Sequence, residues 1–91
     1  MEEREKLDLI RWSPYFDVFA LIAAEGERSL GIHGAWDNLT PRAMHALTGA
    51  ELGETAAAIE MGLFTDAVRE FVHTGNTACK AATELIRRGD L

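Results

Sequence analysis

From Glu51 to His73, ELGETAAAIEMGLFTDAVREFVH, the residues Leu52, Ala56, Ile59, Leu63, Ala67 and Phe71 recur at steps of three or four. Phe64, Val68 and Val72 widen the same stripe, which has the period of an amphipathic helix. The pattern predicts one long helix with that stripe buried and with Glu51, Glu54, Glu60, Asp66 and Glu70 on the opposite face. Thr48-Gly49-Ala50-Glu51 reads as the capping box that opens it, and Thr74-Gly75-Asn76 as the step that ends it.

The flanking chain is also helical in pattern. Residues 2 to 12 are good helix formers with Leu7 and Ile10 on one face. Ser13-Pro14 then marks a restart, because serine caps a first turn and proline at the first helical position loses no bond. The helix that follows carries only Asp17 as a polar residue between Tyr15 and Ala24, and is expected to end near Glu25 with Gly26 as a left-handed cap. Apolar on nearly every side, it needs cover on nearly every side. Tyr15, Phe16, Val18, Phe19 and Ile22 are therefore candidate self-association residues, the other solution being a central rod within a bundle. Residues 26 to 39 hold three glycines in their first nine positions and no convincing period, so they are read as a long loop anchored by Leu30, Ile32 and Trp36. Thr40-Pro41 starts a short helix to Leu47. A last helix runs from Thr77 to Arg88, with Gly89 ending it. The expected architecture is all-α: one domain over residues 1–91, a compact bundle of four to five helices with one long Gly/Trp-containing loop at 26–39.

Charge narrows the partners. The formal net charge is −6, and residues 51–73 hold five carboxylates against one arginine. Such a chain is repelled by nucleic acid and by anionic membranes. One cysteine, Cys79, excludes an internal disulfide. The longest apolar run is too short to span a bilayer, and the expected location is the cytoplasm.

A helix-turn-helix frame can be laid over residues 54–73, with Ala58 at the close-packing place, Gly62 at the turn and Val68 on the second helix. Arg69, His73, Lys80, Arg87 and Arg88 would then meet DNA, but Asp66 and Glu70 stand among them. His33, His45 and His73 are scattered in sequence, Cys79 has no CxxC companion, and no phosphate-binding glycine loop occurs, so no metal ligand, cofactor or catalytic residue is assigned. The sequence thus predicts a non-enzymatic interaction module, an acidic inhibitor or adaptor that binds another protein and forms a homodimer. Its candidate contacts are Trp36 and His33 in the loop and Glu54, Glu60, Asp66 and Glu70 on the acidic face. The alternative is a helix-turn-helix DNA-binding regulator.

Overall fold

The computed structural model describes residues 1–33 and 36–89, apart from the side chains of Ile32 and His33. Four helices account for most of them: α1 (Glu3–Arg11), α2 (Phe16–His33), α3 (Pro41–Glu60) and α4 (Phe64–Arg87). No strand occurs among the described residues. The all-α bundle expected from the pattern is therefore what forms.

Its start signals act through local bonds. The Ser13 hydroxyl accepts from the Tyr15 amide at 3.0 Å, in the turn before α2. Thr40 Oγ1 accepts from the Ala43 amide at 3.1 Å, with Pro41 opening α3. Gly89 ends α4 at φ +84°.

Three expected boundaries move. Helix α2 does not stop at Gly26 but runs to His33, so the 26–39 loop shrinks to the connection after His33. Thr48 caps nothing: its hydroxyl donates to the Met44 carbonyl at 2.9 Å inside α3, which joins the expected 41–47 helix to the first half of the expected 51–73 helix. Thr74 likewise donates to the Glu70 carbonyl at 2.9 Å, and α4 passes through Thr74-Gly75-Asn76 without interruption. The 51–73 stretch, read from its period as one helix, divides at Gly62, φ +72°, the position at which the helix-turn-helix frame placed its turn. There the Leu63 amide donates to the Ala58 carbonyl at 2.9 Å and the Gly62 amide to Ile59 at 3.0 Å, a Schellman ending that only a residue tolerant of positive φ closes without strain.

Helix α4 is the element on which the others assemble: α3 packs along it most extensively, α2 packs on it next, and α1 touches only α2. Two glycines set the α2–α4 distance. A Cβ at Gly75 would stand 2.8 Å from Ile22 Cδ1, and one at Gly26 would stand 3.2 Å from Asn76 Oδ1. The α3–α4 pair is a side-by-side hairpin. Glu51 and His73 each lie eleven residues from Gly62, about 16 Å along their helices at 1.5 Å per residue, yet their side chains approach to 3.9 Å. Arms crossing at the 90–120° of a helix-turn-helix would hold them more than ~20 Å apart.

Among the described residues the buried apolar side chains are Met44, Ala58 and Ala67, and Thr55 and Thr77 are also buried. The stripe expected to be buried is open: Leu52 is 55% exposed, Phe64 66%, Val68 58% and Phe71 54%, with Ile59 and Leu63 also exposed. The accessible surface is 6908 Å², whereas a compact monomer of 10.0 kDa exposes roughly 5,200 Å². The Cα radius of gyration, 14.4 Å, likewise exceeds the ~12 Å of a compact chain of this length. No helix among the described residues is long and apolar enough to cross a membrane.

These packing arguments separate three substitutions. Thr48→Ala changes stability by less than about 0.5 kcal/mol, where loss of a true N-cap would cost about 1 kcal/mol. Gly53→Ala, where a Cβ meets nothing within 4 Å, stabilises by about 0.5–1 kcal/mol through helix propensity. Gly75→Leu destabilises by about 1–3 kcal/mol through overpacking against Ile22. Urea unfolding followed by far-UV circular dichroism measures all three.

Candidate functional site

Residues three apart on a helix share a face, so Glu51 and Glu54 on α3, and Glu70 and His73 on α4, present two short rows of side chains. The hairpin sets these rows against each other. His73 Nδ1 lies 3.6 Å from Glu70 Oε2 and 3.9 Å from Glu51 Oε2. Because Gly26 and Gly75 let α2 come close, Glu25 reaches the other ring nitrogen, its Oε1 lying 3.6 Å from His73 Nε2. Glu25 is in turn held by Arg28, which donates through Nε at 2.9 Å.

Three carboxylates, those of Glu25, Glu51 and Glu70, thus gather around one imidazole, and Glu54 adjoins Glu51 and Glu70. Glu51 Oε2 and Glu70 Oε2 are shielded from solvent and have no hydrogen-bond partner among the described residues. The Glu54 carboxyl is pushed above the ordinary range, first by the hydrogen bond it shares with Glu70 and then by the negative charges of Glu51 and Glu70. Shielded oxygens without donors, in an excess of like charge, are the electrostatic environment of a cation site. Ligand atoms from Glu51, Glu70 and His73 all lie within 4.8 Å of one another. Some point is then no more than about 2.8 Å from all three, and small side-chain rotations reach the 2.0–2.2 Å of a divalent-metal bond.

The cluster opens on a polar cleft of about 210 Å³ bounded by Arg28, Ser29, Asn76 and Thr77. Asn76 also borders a larger, mainly apolar cleft of about 540 Å³, walled by Phe19, Ile22, Leu30 and Trp36. At its edge Lys80 Nζ stands 5.0 Å from the centre of the Trp36 ring and donates to Ser29 Oγ at 3.3 Å. A charged polar site and an aromatic slot therefore adjoin along α4.

The residues singled out by sequence separate into groups. Glu54 and Glu70, read as parts of an acidic face, belong to the His73 cluster, whereas Glu60 is exposed at the end of α3 and Asp66 pairs with Arg69 at 3.3 Å. Trp36 is half-buried and forms a cleft wall. Lys80 accompanies it. Arg87 and Arg88 both bind Glu84. The His33 side chain lies outside the described residues. Tyr15, just before α2, and Phe16, Val18 and Phe19 on it are exposed, while Ile22 faces Gly75. Glu25 and Glu51 were missed by the sequence reading. The signal that would have found Glu51 is the pairing of Glu51-x-x-Glu54 with Glu70-x-x-His73, two i,i+3 acidic pairs on consecutive helices; Glu25 carries no such local sign.

No family model, curated protein or solved structure matches the chain.

The raised Glu54 pKa gives a pH dependence of known sign. A carboxyl whose folded pKa lies above its unfolded value adds stability once protonated, and loses that contribution as pH rises through the folded value. In EDTA, the thermal midpoint should therefore rise as pH is lowered toward the ordinary value of 4.5, and Glu54→Gln should flatten that part of the profile. Differential scanning calorimetry at pH 4.5–8 checks it; an unchanged slope in the variant removes Glu54 from the coupled cluster.

Proposed function

We propose that the protein binds a divalent cation at Glu51, Glu54, Glu70 and His73, with Glu25 beside them, and that the cation receives the phosphate of a nucleotide-like ligand. The observation that carries this reading is the convergence of these side chains with two shielded carboxylate oxygens that no donor satisfies. An oxygen-dominated set favours Mg²⁺ or Mn²⁺. Mg²⁺ in particular is commonly held by a few carboxylates together with substrate phosphates, which leaves coordination positions for the ligand.

The adjoining cleft supports the rest of the ligand assignment. A flat heteroaromatic group fits between Trp36 and the apolar side chains of α2, while Lys80 supplies positive charge at the boundary with the polar cleft. The chemistry available to such a set is metal-assisted hydrolysis of a phosphoanhydride. Held by Glu51, Glu70 and His73, a divalent cation would supply Lewis-acid charge at a phosphoryl oxygen; a carboxylate of the cluster would take the proton of a water that attacks phosphorus as the bond to the leaving phosphate oxygen breaks. This catalytic proposal stands beside the non-enzymatic interaction module expected from the sequence. Nothing in the side-by-side α3–α4 hairpin favours the DNA-binding alternative.

The protein partner in this reading is a second copy of the chain. The excess over a compact monomer, about 1,700 Å², is more than the ~800 Å² per partner of an ordinary stable interface. It is accompanied by exposed Tyr15 just before α2, Phe16, Val18 and Phe19 on it, and Leu52, Ile59, Phe64, Val68 and Phe71 on the hairpin. Light scattering should give about twice the 10.0 kDa chain mass, and Val68→Glu with Phe71→Glu should reduce the mass toward that of one chain. A wild-type chain that is monomeric at 100 µM, a concentration of the order at which weak dimers still form, removes the second copy.

Calorimetric titration with Mn²⁺ at pH 7.5 tests the site. Saturable binding is expected, weakened about 10–100-fold by Glu51→Gln or Glu70→Gln, together with Mg²⁺-dependent release of phosphate or pyrophosphate from a nucleoside triphosphate. Absence of saturable binding up to millimolar Mn²⁺ would sink the proposal. Rapid oxidation of added Fe²⁺ without nucleotide turnover would instead assign Glu70-x-x-His73 to a redox carboxylate centre of the kind built in helix bundles.

A further inference from the structure

Arg88 caps the C-terminal end of α4, remote from the His73 cluster, yet among the described residues its side chain makes several long-range hydrogen bonds. Its Nη2 donates to the carbonyls of Trp36 at 3.1 Å, Asp37 at 3.2 Å and Leu39 at 2.6 Å, gripping the connection between α2 and α3. Its Nε donates to Glu84 Oε1 at 2.9 Å. Glu84 is 7% exposed and also accepts from Arg87, through Nε at 3.0 Å and through Nη2. One turn earlier on the same face of α4, Lys80 covers the Trp36 ring.

Lys80, Glu84 and Arg88, spaced four apart, therefore hold Trp36 at two points. Lys80 faces the ring, and Arg88 fixes the backbone that carries it. Trp36 and Glu84 both line the apolar cleft, so the position of this segment sets the width of the slot. We propose that Arg88 is a positioning residue that latches the Trp36 segment against α4 and thereby determines which organic group the cleft accepts; the ligand consequence rests on the nucleotide reading above, the latch on its own geometry. Charge alone does not accomplish this. The guanidinium fork reaches a carboxylate through one nitrogen while another serves the carbonyls, which a lysine ammonium cannot reproduce. Arg87 gives an internal control, because it shares Glu84 and directs its hydrogen bonds there, not to the 36–39 carbonyls. The Glu84 carboxyl is held down to about 2, first by the hydrogen bond from Arg87 and then by that from Arg88, so it remains charged through the neutral range and the latch does not open on mild acidification.

The experiment uses the full chain carrying Trp12→Phe, which leaves Trp36 as the one fluorophore of its kind. In that background, Arg88→Lys should raise the acrylamide quenching constant of Trp36 at least twofold, and Arg87→Lys should leave it unchanged. Glu84→Gln, which keeps both arginines but weakens the hold on Arg88, should shift it in the same direction and serves if Arg88→Lys does not fold by circular dichroism. With Mn²⁺ present, Arg88→Lys should weaken ATP about tenfold and inorganic pyrophosphate by less than twofold. Unchanged quenching in Arg88→Lys, an equal change in Arg87→Lys, or equal loss of both ligands overturns the proposal. Should ATP fail to bind the parent protein, the nucleotide reading falls, while the quenching comparison still decides the latch.

Discussion

The approach of α2 to α4 at Gly75 sets the geometry of both clefts. Ile22 occupies the space that a side chain at position 75 would need, and Gly26 lies over Asn76. Close backbones bring the residue next to Gly26, Glu25, into reach of His73. The same contact places Phe19, Ile22 and Leu30 along one side of the apolar cleft, with Asn76 and Lys80 on the other. A wider separation would detach Glu25 from the carboxylate cluster and open the slot beside Trp36 at once. Geometry at one helix crossing thus couples the charged site to the apolar one.

This crossing also explains which parts of the fold were legible in the chain. The Thr40 cap could be read because its chemistry is local, whereas Ser13 bonds the Tyr15 amide in the turn before α2, which starts two residues later than the Ser13-Pro14 signal implies. Gly26 and Gly75 could not be read, since a glycine that ends a helix and a glycine that admits a neighbouring helix look alike in sequence. Thr48 and Thr74 misled for a related reason: a threonine hydroxyl can mark a helix boundary or return its bond to the carbonyl four residues back, and here both do the latter. The opposite error occurred at Gly62. Apolar residues of α3 and α4 stay in phase across it, so period alone hid the turn that makes the hairpin.

The candidate site was legible in its pieces and not in its assembly. Glu54, Glu70 and His73 each attracted notice, but as members of a solvated acidic face or as a DNA contact. Helical wheels place Glu51, Glu54 and Glu70 on the side away from the apolar stripe, and the ordinary meaning of that side is solvent. In this chain the relation is reversed in part. Shielded Glu51 and Glu70 oxygens lie between helices, while Phe64, Val68 and Phe71 face outward. The pattern correctly identified two faces; which of them the neighbouring helix would cover depends on the turn at Gly62 and on the α2 crossing.

That reversal ties the proposed cation to the proposed second copy. A chain in which the buried apolar side chains among the described residues are Met44, Ala58 and Ala67 has little hydrophobic stabilisation with which to offset a cluster of like charges. Covering the outward apolar stripe supplies the missing burial, and a cation supplies the missing positive charge. The two contributions act on the same α3–α4 hairpin, with Val68 beside Glu25 and His73 in one cleft. Anything that straightens or separates its arms weakens both. Assembly would therefore preorganise the carboxylates for the metal, and metal binding would stiffen the hairpin whose outer face the second copy covers, a reciprocal linkage in which each event raises the affinity of the other.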